Sequence, residues 1–250
     1  MFTRNLLLLL LAALAVSGCA ADGGFNKEAA VGLGGGVLQA TTLDENSVKQ
    51  IASLAAKEMD QQNKVAPDSS PYVIRLRNLT KGLSNYGGLN LNFKVYLSEQ
   101  VNAFAMADGT VRVFSGLLDA MPDEQVLAVL CHEVGHVQLK HSYSQMKEII
   151  LTDVAFKAAV SVGGKIGALT SSQLGQLGRK AVTAHFSQSD ELEADGFAVR
   201  ALRDLGHDPY AMQRAIETLR AKFGSGGGFL SSHPANDKRI AHIKEAIEQL

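Results

Sequence analysis

Along the chain the spacing of apolar residues changes period several times, and each change marks an element. Val48, Ile51, Ala55 and Met59 form a helical stripe that predicts a helix from a capping box at Thr42 and Glu45 to about Gln62. A second helix follows Pro71, where Tyr72, Leu76, Leu79 and Leu83 recur at helical spacing before the Tyr86-Gly87-Gly88 break. From Leu91 the period is two: Leu91, Phe93, Val95 and Leu97 alternate with Asn92, Lys94, Tyr96 and Ser98, as in a strand. Segments 102–106 and 110–114 flank Asp108-Gly109, a hairpin signal, so a small antiparallel sheet is expected.

The helical period returns after Pro122, with Asp123 and Glu124 in the first turn and Val126, Leu130, Val134 and Val137 as a core stripe. Residues 173–186 continue helical, and Ser187 or Ser189 can cap a further helix that stops at Gly206. Asp208-Pro209 opens another. Gly224 to Gly228 reads as a mobile loop leading to Ser231-Ser232-His233, and a last helix from about Asn236 carries Ile240, Ile243 and Ile247. The class predicted is α+β: a mainly helical domain over residues 42–250, with a small antiparallel sheet beside the helix after Pro122.

Residues 1–18 differ from the rest, with Arg4, the apolar run Leu6 to Val16, and Ser17-Gly18 before Cys19. This is the layout of a secretory signal, and its end resembles the lipobox at which bacterial lipoproteins are cut and lipidated on the cysteine. Acyl chains on Cys19 would hold the protein at a membrane surface, and Ala20-Ala21 after it favour the periplasmic face of the outer membrane. Residues 19–41, rich in glycine, then form a flexible tether. With Cys19 lipidated, Cys131 has no partner for a disulfide and reads as a small core residue. The apolar stretch Ile149 to Leu169 is interrupted by Asp153, Lys157, Lys165 and three glycines, which favours a packed helical hairpin over a membrane span. A net charge of −1 in 250 residues shows no basic excess, so no nucleic-acid partner is expected.

The chemistry lies in His132-Glu133-Val134-Gly135-His136. A helix turns about 100° per residue, so residues four apart stand roughly 40° from alignment and both imidazoles can face one ion. Glu133, next to the first of them, can take a proton from water activated by the metal while the metal polarises a peptide carbonyl. This predicts one Zn²⁺ per chain and a peptidase acting on protein or peptide substrates.

A catalytic zinc needs a third protein ligand. On a continued helix His141 would stand about 180° from His132, and Leu139 and Ser142 break the metzincin pattern, so His141 is not expected to ligate. The segment Glu191 to Asp195 offers better. Glu191 and Asp195 head a stripe that continues through Ala198, Leu202 and Leu205, so both carboxylates should face the core, where unpaired charge is costly. Glu191 is assigned to the zinc, and Asp195, one turn on, to the outer N–H of a zinc histidine. Glu193 falls nearer a polar face with Arg200 and Asp204, and His185, His207 and His242 are given no chemistry. The open edge formed by Asn102, Ala103, Phe104 and Ala105 could pair with an extended substrate.

At HEVGH and ELEAD, and from about residue 45 to the end, the chain resembles the HtpX-like zinc peptidases. These are gluzincins that include the CAAX prenyl endopeptidases, and the likeness is strongest to a subgroup of outer-membrane lipoprotein proteases. The resemblance implies a zincin-like domain, Glu191 as third ligand, and an edge strand over the zinc. It also draws in Ser232-His233-Pro234 and the downstream Arg239, with His233 near the metal, steadying the tetrahedral intermediate or occupying the open zinc position in a latent state. Many members have Ser-Arg before the glutamate where this chain has Ser187-Gln188. The function expected is endoproteolysis of periplasmic or misfolded envelope proteins. The alternatives are a non-catalytic zinc-containing assembly or chaperone lipoprotein, and a protease kept latent by His233.

Overall fold

A three-stranded sheet divides two hydrophobic cores. The computed structural model describes residues 43–153, 156, 169–224 and 227–250. The strands are β1 (Asn92–Tyr96), β2 (Ala103–Ala105) and β3 (Thr110–Phe114), in the order β1-β3-β2. β2 and β3 form the antiparallel hairpin expected around Asp108-Gly109, with Gly109 at φ +89°. β1 pairs with β3 in parallel, Val95 opposite Val113, so the sheet is mixed and not antiparallel throughout. A parallel pair needs a crossover, and here the chain between β1 and β3 passes through β2 on the far edge. Asn102 lies just before β2, not in it, and its carbonyl accepts from Phe114 N at 3.0 Å.

One face of the sheet, with Val95, Ala103, Val111 and Val113, packs on a core shared by α2 (Pro71–Leu79), α3 (Ser115–Ala120), α4 (Asp123–Gln138), α7 (Gln188–Asp204), α8 (Tyr210–Phe223) and α9 (Asp237–Glu248). The opposite face is covered as well. Tyr96, Phe104 and Phe114 meet α1 (Glu45–Gln62), α5 (His141–Thr152) and α6 (Ser171–Thr183) in a second core. The polar positions of that face survive burial by pairing: Arg112 is 3% exposed, and its Nε and Nη2 bind the Asp60 carboxylate at 2.8 and 3.0 Å.

Helix ends follow local chemistry. Asp44 caps α1 by accepting from Ser47 N, whereas Thr42, expected to cap it, lies outside the described residues. α2 stops at Leu79, so Leu83 packs from the turn that follows it. Thr170 with Gln173, and Ser187 with Asp190, form reciprocal capping boxes on α6 and α7. α4 ends where Lys140 takes the left-handed conformation, φ 64°, and α5 starts afresh at His141.

The leader at 1–18, Cys19 and the tether to residue 41 lie outside the described residues, as do 154–155 and 157–168 of the apolar stretch. Among the described residues no helix is long and apolar enough to cross a membrane.

Candidate metal centre and active site

α4 carries His132, Glu133 and His136 into the interior, where they are 0%, 1% and 0% exposed. α7 crosses it at Gly135. A Cβ there would stand 3.1 Å from Phe197 Cδ1 and 3.2 Å from Ala194 Cα, so glycine in the motif sets the distance between the two helices. That approach brings Glu191 and Asp195, on α7, to the histidines. His132 Nε2 and His136 Nε2 are 3.0 Å apart, and each is 3.5 Å from an oxygen of Glu191.

His233, between a 3₁₀ turn (Gly228–Ser231) and α9, completes the cluster. Its Nδ1 is 3.3 Å from His132 Nε2 and 2.9 Å from Glu191 Oε1. One donor atom from each of His132, His136, Glu191 and His233 lies within 4.8 Å of all the others. Donors held tetrahedrally at the usual zinc distances of about 2.0–2.1 Å stand about 3.3 Å apart, close to the separations found here. His132 Nδ1 is turned to Asp195 Oδ1 at 2.9 Å. With the proton on that side, the Nε2 lone pair points at its counterpart on His136, an arrangement that calls for a cation between them. The donor set therefore fits zinc.

The surrounding charges are paired. Arg239, 0% exposed, binds both oxygens of Asp195, and its Nη1 lies 2.7 Å from Glu191 Oε2 and donates to the His233 carbonyl at 3.1 Å. Burial alone would raise the Asp195 and Glu191 carboxyls, but the Arg239 charge holds Asp195 below its ordinary value and the neighbouring histidines do the same for Glu191. Burial opposes a charged His132, yet Asp195 and Glu191 outweigh it and raise this imidazole to about 9. His136 is held well below its ordinary value, chiefly by burial, with His132 and His233 adding to the effect. Burial pushes Glu133 up, which suits a group that must hold a proton, and its Oε1 has no hydrogen-bond partner, with His233 Nε2 standing 3.4 Å away.

Two rings that sequence reasoning passed over shape the site. Phe186 stacks on His136, centroids 3.8 Å apart at 18°, and Phe229 stacks on His233 at 4.3 Å and 10°. No spacing signal marks either. A narrow cleft runs past Glu133 and His233 between β2 (Phe104, Ala105) and the end of α6 with its following turn (Ala181, Val182, Ala184, Phe186). Since Asn102 and Met106 turn backbone groups to β3, Ala103 and Ala105 turn theirs outward. The Ala105 carbonyl already accepts from Ser142 Oγ at 3.1 Å, and the Ala103 amide donates to Asn102 Oδ1 at 2.9 Å.

His141 is not among the four clustered donors, as expected, but the geometric reason differs: it lies on a new helix, with its Nδ1 3.1 Å from His136 Nδ1. Glu193 is exposed, and Cys131 is a fully buried free thiol pushed up by burial.

Zinc beside a buried carboxylate that keeps one oxygen without a hydrogen-bond partner has a use in hydrolysis, and the class of protein this centre defines is a zinc-dependent metalloendopeptidase. Residues 77–247 match the model for Peptidase family M48. The chain belongs to that family. It is 38% identical over 246 residues to Metalloprotease LoiP of Escherichia coli (strain K12), covering 98% of this chain and 96% of the relative. To Metalloprotease YcaL of the same strain it is 37% identical over 247 residues, covering 98% and 97%. The Beta-barrel assembly-enhancing protease of Yersinia pestis is 29% identical over 189 residues, 67% of this chain and 37% of that protein. The reading as a non-catalytic zinc protein is therefore not retained.

Proposed function

We propose that this zinc endopeptidase cleaves internal peptide bonds of periplasmic or misfolded envelope proteins, with His132, His136 and Glu191 holding the metal and Glu133 moving the proton. The observation that carries the proton role is Glu133 Oε1, buried beside the donor cluster with no hydrogen-bond partner. When bound, zinc polarises the scissile carbonyl and lowers the pKa of water to about 7. Glu133 takes a proton from the attacking water as the new C–O bond forms, then returns it to the amide nitrogen as the C–N bond breaks. Asp195, backed by Arg239, fixes the tautomer of His132. The outward edge of β2 aligns an extended substrate, chiefly through the Ala103 carbonyl, since Ala105 is already engaged. Glu133→Gln tests the reading: casein cleavage should vanish while one zinc per chain persists, and unchanged cleavage would overturn it.

The envelope assignment rests on the leader and Cys19, and on the beta-barrel assembly named for the Yersinia pestis relative. Lipidated Cys19 anchors the chain to the outer membrane, facing the periplasm, and the glycine-rich tether gives the domain reach. Cys19→Ser should move the protein from the membrane to the soluble periplasmic fraction.

A second reading concerns latency and is favoured by one distance pair. His233 Nδ1 sits among the donors, 3.3 Å from His132 Nε2 and 2.9 Å from Glu191 Oε1, where a fourth ligand would stand. His233→Ala should raise activity if this ring keeps the site closed, whereas a fall would assign it to stabilising the tetrahedral intermediate.

A further inference from the structure

We infer that His141 is a positioning residue for the metal site: it orients His136 through a hydrogen bond between their Nδ1 atoms and passes that hydrogen bond on to a surface carboxylate. The inference rests on His136 binding zinc through Nε2, as proposed above. A histidine that ligates through Nε2 must keep its proton on Nδ1 and needs an acceptor for it. His132 meets this need with Asp195 at 2.9 Å. For His136 the atom in place is His141 Nδ1, at 3.1 Å, with both rings buried.

If His141 Nδ1 accepts, its own proton sits on Nε2. That atom faces Glu193 Oε2 at 3.3 Å, with Asp190 Oδ1 at 3.6 Å. Both carboxylates belong to α7, the helix that also supplies Glu191. A chain of two imidazoles thus links the donor cluster to acidic groups at the surface, and every proton along it has an acceptor.

The backbone shows how the contact arises. On an uninterrupted helix, five residues place His141 about 140° round from His136. The left-handed Lys140 breaks the helix and starts α5, and the two rings then stand 5.2 Å apart, edge to face. Phe186 stacks on the His136 ring, which is thus held by a plane and by a hydrogen bond.

The test is zinc affinity of the full chain, measured by competition with a chromophoric chelator. H141L removes the acceptor, and affinity should fall about 10- to 100-fold, the usual effect of losing such a partner. H141N keeps an acceptor near the Nδ1 position and should recover most of it. Equal affinity in H141L and the wild type, or an H141N as weak as H141L, would overturn the inference. Should H141L not fold, H141N against H141Q decides, because the longer amide places its polar group towards Glu193 and away from His136; equal affinities again overturn it. A wild-type chain that takes up no zinc would instead defeat the ligand assignment.

Discussion

Arg239 clamps Asp195 with both arms of its guanidinium, Nε to Oδ2 at 2.7 Å and Nη2 to Oδ1 at 2.6 Å, and neither residue reaches solvent. The same guanidinium neutralises Glu191 at 2.7 Å, so one cation compensates two buried carboxylates brought together by the metal site. Replacing Arg239 by Leu strands both charges, and a buried pair broken on one side costs about 3–5 kcal/mol. Arg239→Lys keeps the charge but cannot form the fork, so it should fall between the two. Urea denaturation in chelator, which separates folding from zinc binding, would show this order; a loss below about 1 kcal/mol for Arg239→Leu contradicts the clamp.

Gly135→Ala probes the approach of α4 to α7. The new methyl would stand 3.1 Å from Phe197 Cδ1 and 3.2 Å from both Cα and O of Ala194. Phe197 can turn aside, but the Ala194 backbone cannot move without carrying Glu191 and Asp195 with it. Helix propensity favours Ala by about 1 kcal/mol, while overpacking costs about 1–3 kcal/mol. The expected net result is modest destabilisation with a larger loss of zinc affinity, because the third donor shifts from the histidines. Unchanged zinc affinity would show that the helices have slack at this crossing.

What could be read without coordinates divides by range. HEVGH states its own geometry, since one helix fixes both histidines and Glu133. Glu191 and Asp195 were legible because two carboxylates on an apolar stripe demand partners. The parallel pairing of β1 with β3 was not, because strands distant in sequence are matched by the two cores and not by a turn. Tyr96 stood with Asn92, Lys94 and Ser98 in the alternation, yet α1, α5 and α6 cover the face it shares with Arg112. His141 was misplaced on a continuous helix, since nothing in the residue type of Lys140 announces a left-handed turn.

Removing zinc should destabilise the domain measurably. The donors His132, His136, Glu191 and His233 are all buried and come together only in the fold, so a cation held among them stabilises the folded state alone. Binding to the folded state alone adds about 2.7 kcal/mol at a free-metal level 100 times the dissociation constant. For a domain of this size that is a rise in Tm of about 5–10 °C. Melting with and without chelator, and again after adding zinc back, reads the difference; identical curves would count against zinc at this cluster.

Acid stability should depend on Asp60, whose partners are Arg112, Lys94 and Tyr96 and not the clustered donors. Burial would raise its carboxyl, but hydrogen bonds from Arg112, Lys94 and Tyr96 outweigh this and hold it below its ordinary value. A carboxylate lowered on folding contributes stability that is fully present above its unfolded pKa, about 3.9, and is lost as pH falls through the folded value. The wild type should therefore lose this contribution progressively below about pH 4. Asp60→Asn removes it at neutral pH and leaves Arg112, 3% exposed, without its counter-ion. Because the Asp60 side chain keeps 14% exposure, the cost should sit at the low end of the range for a broken buried pair, about 3 kcal/mol. Denaturation midpoints of the two proteins, measured in chelator from pH 2 to 7, should lie apart at neutral pH and converge towards the acid end. Parallel curves would mean that the Asp60 charge is not what holds Arg112 inside.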